Sequence, residues 1–130
     1  TIEVFPVSIS SGTATDYAEL STVNNCLGSL ASTTHGITVG GYVPAATDTI
    51  EKFPFSAPSS NTDIGNLIQG KAETRGMGSP DSTAAGFCMG GVVSSNTKDE
   101  IDKFSLSSPG NASDWGNLVK KPASGNASGV

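Results

Sequence analysis

The stretch Ile50-Glu51-Lys52-Phe53 is a four-residue phrase that occurs, with small changes, three times in this chain, and its recurrence determines the architecture. Ile2-Glu3-Val4-Phe5 lies 48 residues before it, and Ile101-Asp102-Lys103-Phe104 lies 51 residues after it. A period in this range indicates a stacked repeat architecture, in which each unit buries its apolar face against its neighbours. The chain is therefore predicted to be an array of repeats.

Two further elements recur in phase with that phrase. One places an aspartate before a large apolar residue, with a leucine three residues further on: Asp16, Tyr17 and Leu20, then Asp63, Ile64 and Leu67, then Asp114, Trp115 and Leu118. The other is a short apolar run closed by two glycines, namely Ile37-Thr38-Val39-Gly40-Gly41 and Phe87-Cys88-Met89-Gly90-Gly91. We predict repeat 1 over residues 1–48, repeat 2 over 49–99 and a partial repeat 3 over 100–130, in one continuous array.

Short strands joined by turns are the predicted local structure. Gly and Pro together supply 23 of the 130 residues, as a chain with frequent turns requires. Strand alternation would place Ile50 and Phe53 on opposite faces, which indicates a strand contacted on both sides. The only helix candidates, 16–23 and 62–68, are short, and Gly65 would cost the second about 1 kcal/mol relative to alanine. Strand or turn is favoured there, and the fold class is all-β.

Composition excludes several classes of partner. The chain is 35% hydrophobic and 15% charged, with a net charge of -5 and a pI near 4.5. Nucleic acid is not expected, because phosphate binding needs clustered Lys and Arg and the seven basic residues are scattered. Membrane insertion is not expected either, because no apolar stretch approaches the roughly 20 residues that span a bilayer.

No residue pattern predicts a catalytic, cofactor or metal site. Cys26 and Cys88 fall at different repeat positions if Gly28 is aligned with Gly78, so Cys88 is interpreted as a small buried residue and a disulfide as the lesser alternative. The only histidine, His35, is interpreted as a surface or strand-edge residue, since no nucleophile and acid accompany it. Two cysteines and one histidine without ligand spacing do not support zinc.

The recurring carboxylates indicate structure rather than chemistry. Glu3, Glu51 and Asp102 form one set and Asp16, Asp63 and Asp114 the other. The second set is predicted to close a turn through an Asx hydrogen bond, with calcium coordination as the minor alternative because no dense array of acidic ligands is present. The predicted repeat core combines the recurring apolar residues with the double glycines: Phe5, Phe53, Phe104, Tyr17, Ile64, Trp115, Leu20, Leu67, Leu118, Gly40, Gly41, Gly90 and Gly91.

The order of these elements resembles the kelch-type repeat of β-propellers, whose unit is also about 50 residues. The resemblance implies four-stranded antiparallel blades, in which Gly40-Gly41 and Gly90-Gly91 close the second strand and residues 50–55 form the third. Arg75 fits the family's basic position, while its aromatic after the double glycine is matched only by Tyr42 and its outer-strand Trp only by Trp115. The phrases I-E-K-F-P-F-S, S-N-T-D-I-G-N-L and S-T-T-H-G-I-T-V-G-G are similar to repeat arrays in virion proteins of tailed bacteriophages, which implies an extracellular structural or receptor-facing component.

The number of repeats needed to close the array separates the remaining structural alternatives. Propellers have four to eight blades, and this chain supplies between two and a half and three. Further repeats or another copy would have to complete the array; a three-sheet β-prism, typical of lectins, is the alternative that closes alone. The predicted function is a non-enzymatic structural module that self-associates, and the alternative is a module that binds carbohydrate, such as a host-surface glycan, or a receptor. Asn111 and Asn126 match the glycosylation acceptor pattern, and residues 120–130 are interpreted as a linker or the start of another strand.

Overall fold

The described part of the protein consists of β-strands joined by turns and bends. The computed structural model describes residues 1–6, 12–78 and 85–121, and of residues 75–78 it describes the backbone. All strand pairs in these ranges are antiparallel, which confirms the all-β prediction. No helix within them could cross a bilayer. The strands are β1 (Ile2–Val4), β2 (Thr15–Ala18), β3 (Gly28–Ala31), β4 (His35–Val39), β5 (Thr49–Pro54), β6 (Thr62–Asn66), β7 (Arg75–Gly78), β8 (Ala85–Met89), β9 (Val92–Val93), β10 (Asn96–Thr97), β11 (Glu100–Ser105) and β12 (Ser113–Asn117).

Two four-stranded sheets of the same design form the body of the structure. The first sheet has the strand order β3-β4-β5-β6, and the second sheet has the order β7-β8-β11-β12. β1 and β2 pair in a two-stranded sheet, called here the N-terminal sheet. Because β1 carries the same phrase as β5 and β11, the N-terminal sheet corresponds to the last two strands of a four-stranded sheet.

Each four-stranded sheet takes strands from two consecutive sequence repeats. The first sheet spans residues 28–66 and crosses the boundary predicted at 48/49. The second sheet spans residues 75–117 and crosses the boundary predicted at 99/100. The first two strands of a sheet come from one repeat and the last two from the next. Consecutive repeats are therefore joined by backbone hydrogen bonds as well as by packing.

The predicted strand positions are confirmed. The apolar runs at 37–39 and 87–89 lie in β4 and β8, and both stretches that could have been short helices contribute strands, β2 and β6. β5 is contacted on both faces, since Ile50 is fully buried and Glu51 is 6% exposed.

The double glycines end the second strand of each four-stranded sheet in matching conformations. Gly40 and Gly90 both have a φ of 63°, while Gly41 and Gly91 have φ values of 119° and 106°. These values lie in the region that side chains disfavour. A Cβ at Gly40 would also stand 2.4 Å from the backbone oxygen of Lys71. Both conformation and space therefore require glycine at this position.

A β-bulge interrupts the last strand of each sheet at the large apolar residue of the second phrase. In β6 the Oδ1 atom of Asp63 accepts a hydrogen bond from the Gly65 amide at 2.9 Å. In β12 the Oδ1 atom of Asp114 accepts one from the Gly116 amide at 2.9 Å. These are the Asx hydrogen bonds predicted from the sequence for Asp63 and Asp114, and they close a bulge that redirects the side chain of its extra residue. Asp16 precedes the corresponding bulge in β2, where Ala18 replaces the glycine, and it does not accept such a bond. The extra residues are Tyr17 in β2, Ile64 in β6 and Trp115 in β12.

The hydrophobic core lies between the first and second sheets. The first sheet contributes one face, here called its forward face, whose residues are at most 4% exposed. The side of a sheet opposite to its forward face is here called its rear face. The rear face of the second sheet, which bears Cys88, Phe104 and Leu106, packs against the forward face of the first sheet. The forward face of the first sheet consists of Ile37, Val39, Ile50, Ile64 and Leu67.

On the rear face of each four-stranded sheet, a phenylalanine ring lies over a glycine of the neighbouring strand. Phe53 in β5 pairs with Gly36 in β4, and a Cβ at Gly36 would stand 2.2 Å from the Cζ atom of Phe53. Phe104 covers Gly86 in the same way, with a Cβ at 2.6 Å from the ring. The glycine thus makes room for the ring, and the ring fills the face that the preceding sheet covers.

Backbone hydrogen bonds also connect successive sheets at their outer strands. The amide of Gly110 donates to the oxygen of Ile64 at 2.7 Å, and the amide of Ala112 donates to the oxygen of Asn66 at 2.8 Å. One sheet earlier, the amide of Asn61 donates to the oxygen of Glu19 at 3.1 Å. The junction between the N-terminal and first sheets therefore resembles the junction between the first and second.

On the rear face of each four-stranded sheet, a buried carboxylate accepts hydrogen bonds from the connector that follows the preceding sheet. Glu51 accepts from Ser21 and, at 3.1 Å, from Asn61 of its own sheet. Asp102, which is fully buried, accepts from the Nζ atom of Lys71 at 2.8 Å and from the amide of Ile68 at 3.3 Å. The recurring acids thus perform one structural role twice.

The extra residue in the second double-glycine connector lies in a hairpin. β9 and β10 pair around Ser94-Ser95, whereas the shorter first connector forms the isolated bridge Tyr42↔Ala46 instead of a strand pair. Ser94 and Ser95 have φ values of 47° and 67°. Two positive φ angles are what a two-residue type I′ turn requires.

Candidate functional site: the forward face of the second sheet

Within residues 1–6, 12–78 and 85–121, no sheet covers the forward face of the second sheet as the second sheet covers the same face of the first. Strand pairing aligns β8 and β11 with β4 and β5, so each buried residue of the first sheet has a counterpart in the second. The counterparts are partly or largely exposed in the described structure. The forward face of the second sheet consists of Phe87, Met89, Ile101, Lys103, Trp115 and Leu118.

Trp115 is the centre of this face. Its side chain is 60% exposed, whereas Ile64 at the same bulge of the first sheet is 4% exposed. The Trp115 ring makes an edge contact with Phe87 at a centroid distance of 6.0 Å, and the Nζ atom of Lys103 lies 4.0 Å from its centre. The cation-π and aromatic contacts hold the ring in place on the open face.

Basic residues lie on this face and in the segment that follows it in the chain, and Asp114 lines the groove beside Trp115. Lys103 is half-buried beside Trp115, and Lys120 and Lys121 are exposed in the segment that follows β12. This segment corresponds to the connector that, after β6, supplies Lys71 and the Ile68 amide to Asp102. Because Leu118 corresponds to Leu67, Lys120 and Lys121 correspond to Gln69 and Gly70, and the counterpart of Lys71 is Pro122, which lies outside the described residues.

The rear face of the N-terminal sheet is the complementary surface, and no strand in the described part of the chain covers it. Glu3 is exposed, and Phe5, which corresponds to Phe53 and Phe104, is 63% exposed. Among the described residues β1 pairs only with β2. No paired strand therefore supplies the glycine that receives a phenylalanine ring in the larger sheets.

The residues of the predicted repeat core differ in their burial. Ile64, Leu67, Phe104 and the four glycines are buried, and Phe53, Tyr17, Leu20 and Leu118 are half-buried. Phe5 and Trp115 are exposed, because the faces that bear them are not covered by another sheet. Burial at these positions depends on a neighbour, which the repeat phrase alone does not specify.

The cysteines are free, as the preferred interpretation predicts. Burial in β8 raises the pKa of Cys88 to about 12, so its thiol stays protonated. Cys26 is exposed and has a φ of 53°, the same as Glu73. Because Gly28 pairs with Val39 and Arg75 with Met89, Gly28 corresponds to Arg75, not to Gly78. The alignment that placed Cys26 opposite Gly76 is therefore wrong, and Cys26 corresponds to Glu73.

His35 begins β4, in agreement with its interpretation as a strand-edge residue. Its Nδ1 atom lies 2.8 Å from the Oγ1 atom of Thr34, and burial, with a contribution from Lys52, lowers its pKa. Among residues 1–6, 12–78 and 85–121, no three His, Cys, Asp or Glu side chains are grouped as metal ligands. Asn126 and most of the segment 120–130 lie outside the described residues.

Sequence reasoning did not predict the pairing of Lys71 with Asp102 or the contact of Lys103 with Trp115. Lys71 follows a glycine in a polar connector and lies 31 residues from its partner, so no local pattern marks it. The recurrence of an acid at Glu51 and Asp102 was the available signal, but it does not identify the donor. Comparison of the sequence with models of known protein families gives no match, and comparison with curated proteins gives none either.

Proposed function

We propose that this chain is a non-enzymatic structural module whose stacked sheets continue into further copies or repeats. One observation carries the proposal: the chain builds the same junction between sheets twice and leaves the faces for a third junction open. The buried forward face of the first sheet and the open forward face of the second have the same strand positions. A contiguous exposed apolar face of this kind is typical of an interaction surface.

The proposed architecture is a segment of a kelch-like β-propeller. Four antiparallel strands per sheet, the double glycine after the second strand, and the contact between the first strands β3 and β7 support it. Propeller blades are four-stranded sheets arranged radially around such inner strands. Further repeats or another copy would supply the missing blades.

The three-sheet β-prism receives less support. A prism turns one face of each sheet towards a common core, whereas the first sheet here is covered on both faces. Its forward face packs on the second sheet, and Phe53 on its rear face contacts Tyr17 of the N-terminal sheet. Sheets stacked face to face in series favour the propeller.

The proposed location is extracellular, in a phage virion or a fibre. This part rests on the resemblance of the repeat phrases to virion proteins of tailed bacteriophages. A net charge of -5 with two free cysteines is compatible with a surface-polar particle component. Antibodies raised against the chain and used for immunogold labelling of particles from its source would test this location.

Association of the purified chain tests the structural role. We expect the mass measured by light scattering to rise above the 13.1 kDa of one chain as concentration increases, with rings or filaments in negative stain. A mass that stays at one chain up to millimolar concentration would contradict the proposal.

A second candidate function is binding of a glycan at Trp115. The exposed ring borders a groove with polar side chains from Lys103, Asn111, Ser113 and Asp114. A sugar can stack its apolar face on an aromatic ring while its hydroxyls bond to such neighbours. A glycan array should then give signals that Trp115→Ala removes and that Tyr42→Ala, which alters an exposed aromatic elsewhere, retains. An array without signals would remove this candidate.

A further inference from the structure

The junction between the first and second sheets shows what a forward face binds. Apolar forward residues pack against a phenylalanine and a carboxylate of the next rear face, here Phe104 and Asp102. The connector after the forward sheet donates to that carboxylate through Lys71 and the Ile68 amide. A partner for the second sheet should therefore present a phenylalanine ring next to an acid on a strand.

The chain itself carries such a surface at its other end. The N-terminal sheet presents Glu3 on β1 and Phe5 just after the end of β1, two residues apart like Asp102 and Phe104. Both Phe5 and Glu3 are exposed. The two open faces of one molecule thus correspond to the two halves of the junction that it builds internally.

Charge favours the same pairing. Lys103 lies beside Trp115 on the second sheet, where Asp114 lines the same groove, and the exposed Lys120 and Lys121 follow Leu118 in the chain. The rear face of the N-terminal sheet carries the exposed Glu3. Opposite charges that meet across an interface fix its orientation and discourage wrong partners. Packing two forward faces on each other would instead bring the lysines of both copies together.

We propose that the forward face of the second sheet binds the rear face of the N-terminal sheet of a second copy, head to tail. The inference rests on the proposed structural function and specifies its interface. Trp115 of one copy packs near Phe5 of the next, and Lys120 or Lys121 reaches Glu3. Such a heterologous contact produces a ring if the rotation per copy closes and a filament if it does not.

Two variants that each block one end test the orientation. Phe5→Lys disrupts the rear face of the N-terminal sheet, and Trp115→Lys disrupts the forward face of the second sheet. Both side chains are about 60% exposed, so both variants should retain the far-UV circular dichroism of the unaltered chain. Each variant alone should remain a single chain, because it keeps only one working face.

Mixing the two variants in equal amounts should restore one contact. The intact forward face of Phe5→Lys then meets the intact rear face of Trp115→Lys, and the mass should double to two chains and rise no further. Tyr42→Ser removes an aromatic that is 48% exposed but lies on neither face. This control should associate like the unaltered chain.

The outcomes separate this inference from the function on which it rests. If the unaltered chain never associates, the structural function and the inference both fail. If it associates but Phe5→Lys alone still forms dimers, or the mixture stays at one chain, the head-to-tail contact is wrong and the structural function stands. Head-to-tail docking is supported if each variant by itself has the mass of one chain and the mixture has the mass of two chains.

Discussion

Trp115 and Ile64 occupy the same bulge in two consecutive sheets, yet one is exposed and the other buried. Both follow an aspartate whose Oδ1 atom accepts a hydrogen bond from a glycine amide. The local geometry is therefore the same, and the difference in burial arises from the presence of a covering sheet. At the scale of one residue, sequence determines the shape of the site and the neighbour determines its exposure.

The two cysteines should react at very different rates. Burial raises the pKa of Cys88 to about 12, so on the order of one molecule in ten thousand carries a thiolate there at pH 8, while Cys26 is exposed. We expect a thiol reagent such as Ellman's reagent to modify one cysteine per native chain quickly and the second only after unfolding. Cys26→Asn, which tolerates the positive φ, should abolish the fast reaction, and two fast thiols would contradict the burial of Cys88.

Lys71 should be the most sensitive charged residue of the chain. Lys71→Ala leaves the carboxylate of Asp102 buried without its counter-ion, and we expect a loss of about 3–5 kcal/mol in the free energy of unfolding. Denaturant titration followed by circular dichroism measures this loss. The matched control is Lys98→Ala, because Lys98 makes a part-exposed ion pair with Glu100 at 3.8 Å; it should cost less than about 1 kcal/mol. Equal costs would show that the Lys71 pair is not buried in solution.

At the scale of an element, the last strand of each four-stranded sheet has a glycine after the bulge, whereas β2 of the N-terminal sheet has Ala18 there. Gly65 and Gly116 have φ values of 143° and 147°. Replacing either by alanine should therefore lower the free energy of unfolding by about 1–3 kcal/mol through backbone strain. Only Gly65 is also crowded, since a Cβ there would stand 2.3 Å from the Gly110 oxygen, while Gly116 has open space. Gly65→Ala should therefore lower the free energy of unfolding by at least about 1 kcal/mol more than Gly116→Ala. Thermal unfolding of both variants provides the comparison, and equal costs would contradict the close junction at Gly65.

The β9–β10 hairpin should be stabilised by better turn residues. Ser94 and Ser95 both have positive φ values, a conformation that costs roughly 1 kcal/mol or more for residues with a Cβ. Replacing them by Asn and Gly, the preferred type I′ pair, should raise the melting temperature by a few degrees. Ser60→Gly serves as the control, because Ser60 is exposed and has no positive φ; it should give no gain. A lower melting temperature for the Ser94→Asn, Ser95→Gly double variant would contradict the turn geometry.

The elements themselves were largely predictable from sequence, and their grouping into sheets was not. Apolar runs before the double glycines and the phrase at Ile50 correctly located β4, β5 and β8. A periodic sequence has no unique starting point, however, so repeats can be counted from any phrase. Backbone pairing selects one choice, with sheets beginning at Gly28 and Arg75. Interactions between sheets, such as Lys71 with Asp102, were beyond prediction because they join dissimilar residues across connectors.

At the scale of the whole molecule, stability should be graded along the array. β4 and β5 are flanked by paired strands and lie in the sheet that is covered on both faces. β1 and β2 form only a two-stranded sheet whose rear face is open. Amide hydrogen exchange read by mass spectrometry should therefore be slowest in β4 and β5 and fastest in the N-terminal sheet. Uniform protection along the chain would contradict this order, and selective new protection of β1 on association would agree with head-to-tail docking.

Because each sheet spans two sequence repeats, the array can change length without losing its pairing rules. Removing residues 50–100 would join Thr49 to Ile101, and β11 would then follow β4 with the same apolar, acidic, basic and aromatic order that β5 now provides. β3, β4, β11 and β12 would form one four-stranded sheet, and β1 and β2 would remain the N-terminal sheet. Recombination between copies of the repeated phrase in a gene would thus add or delete one complete sheet at a time, and the surfaces at the two ends would stay the same.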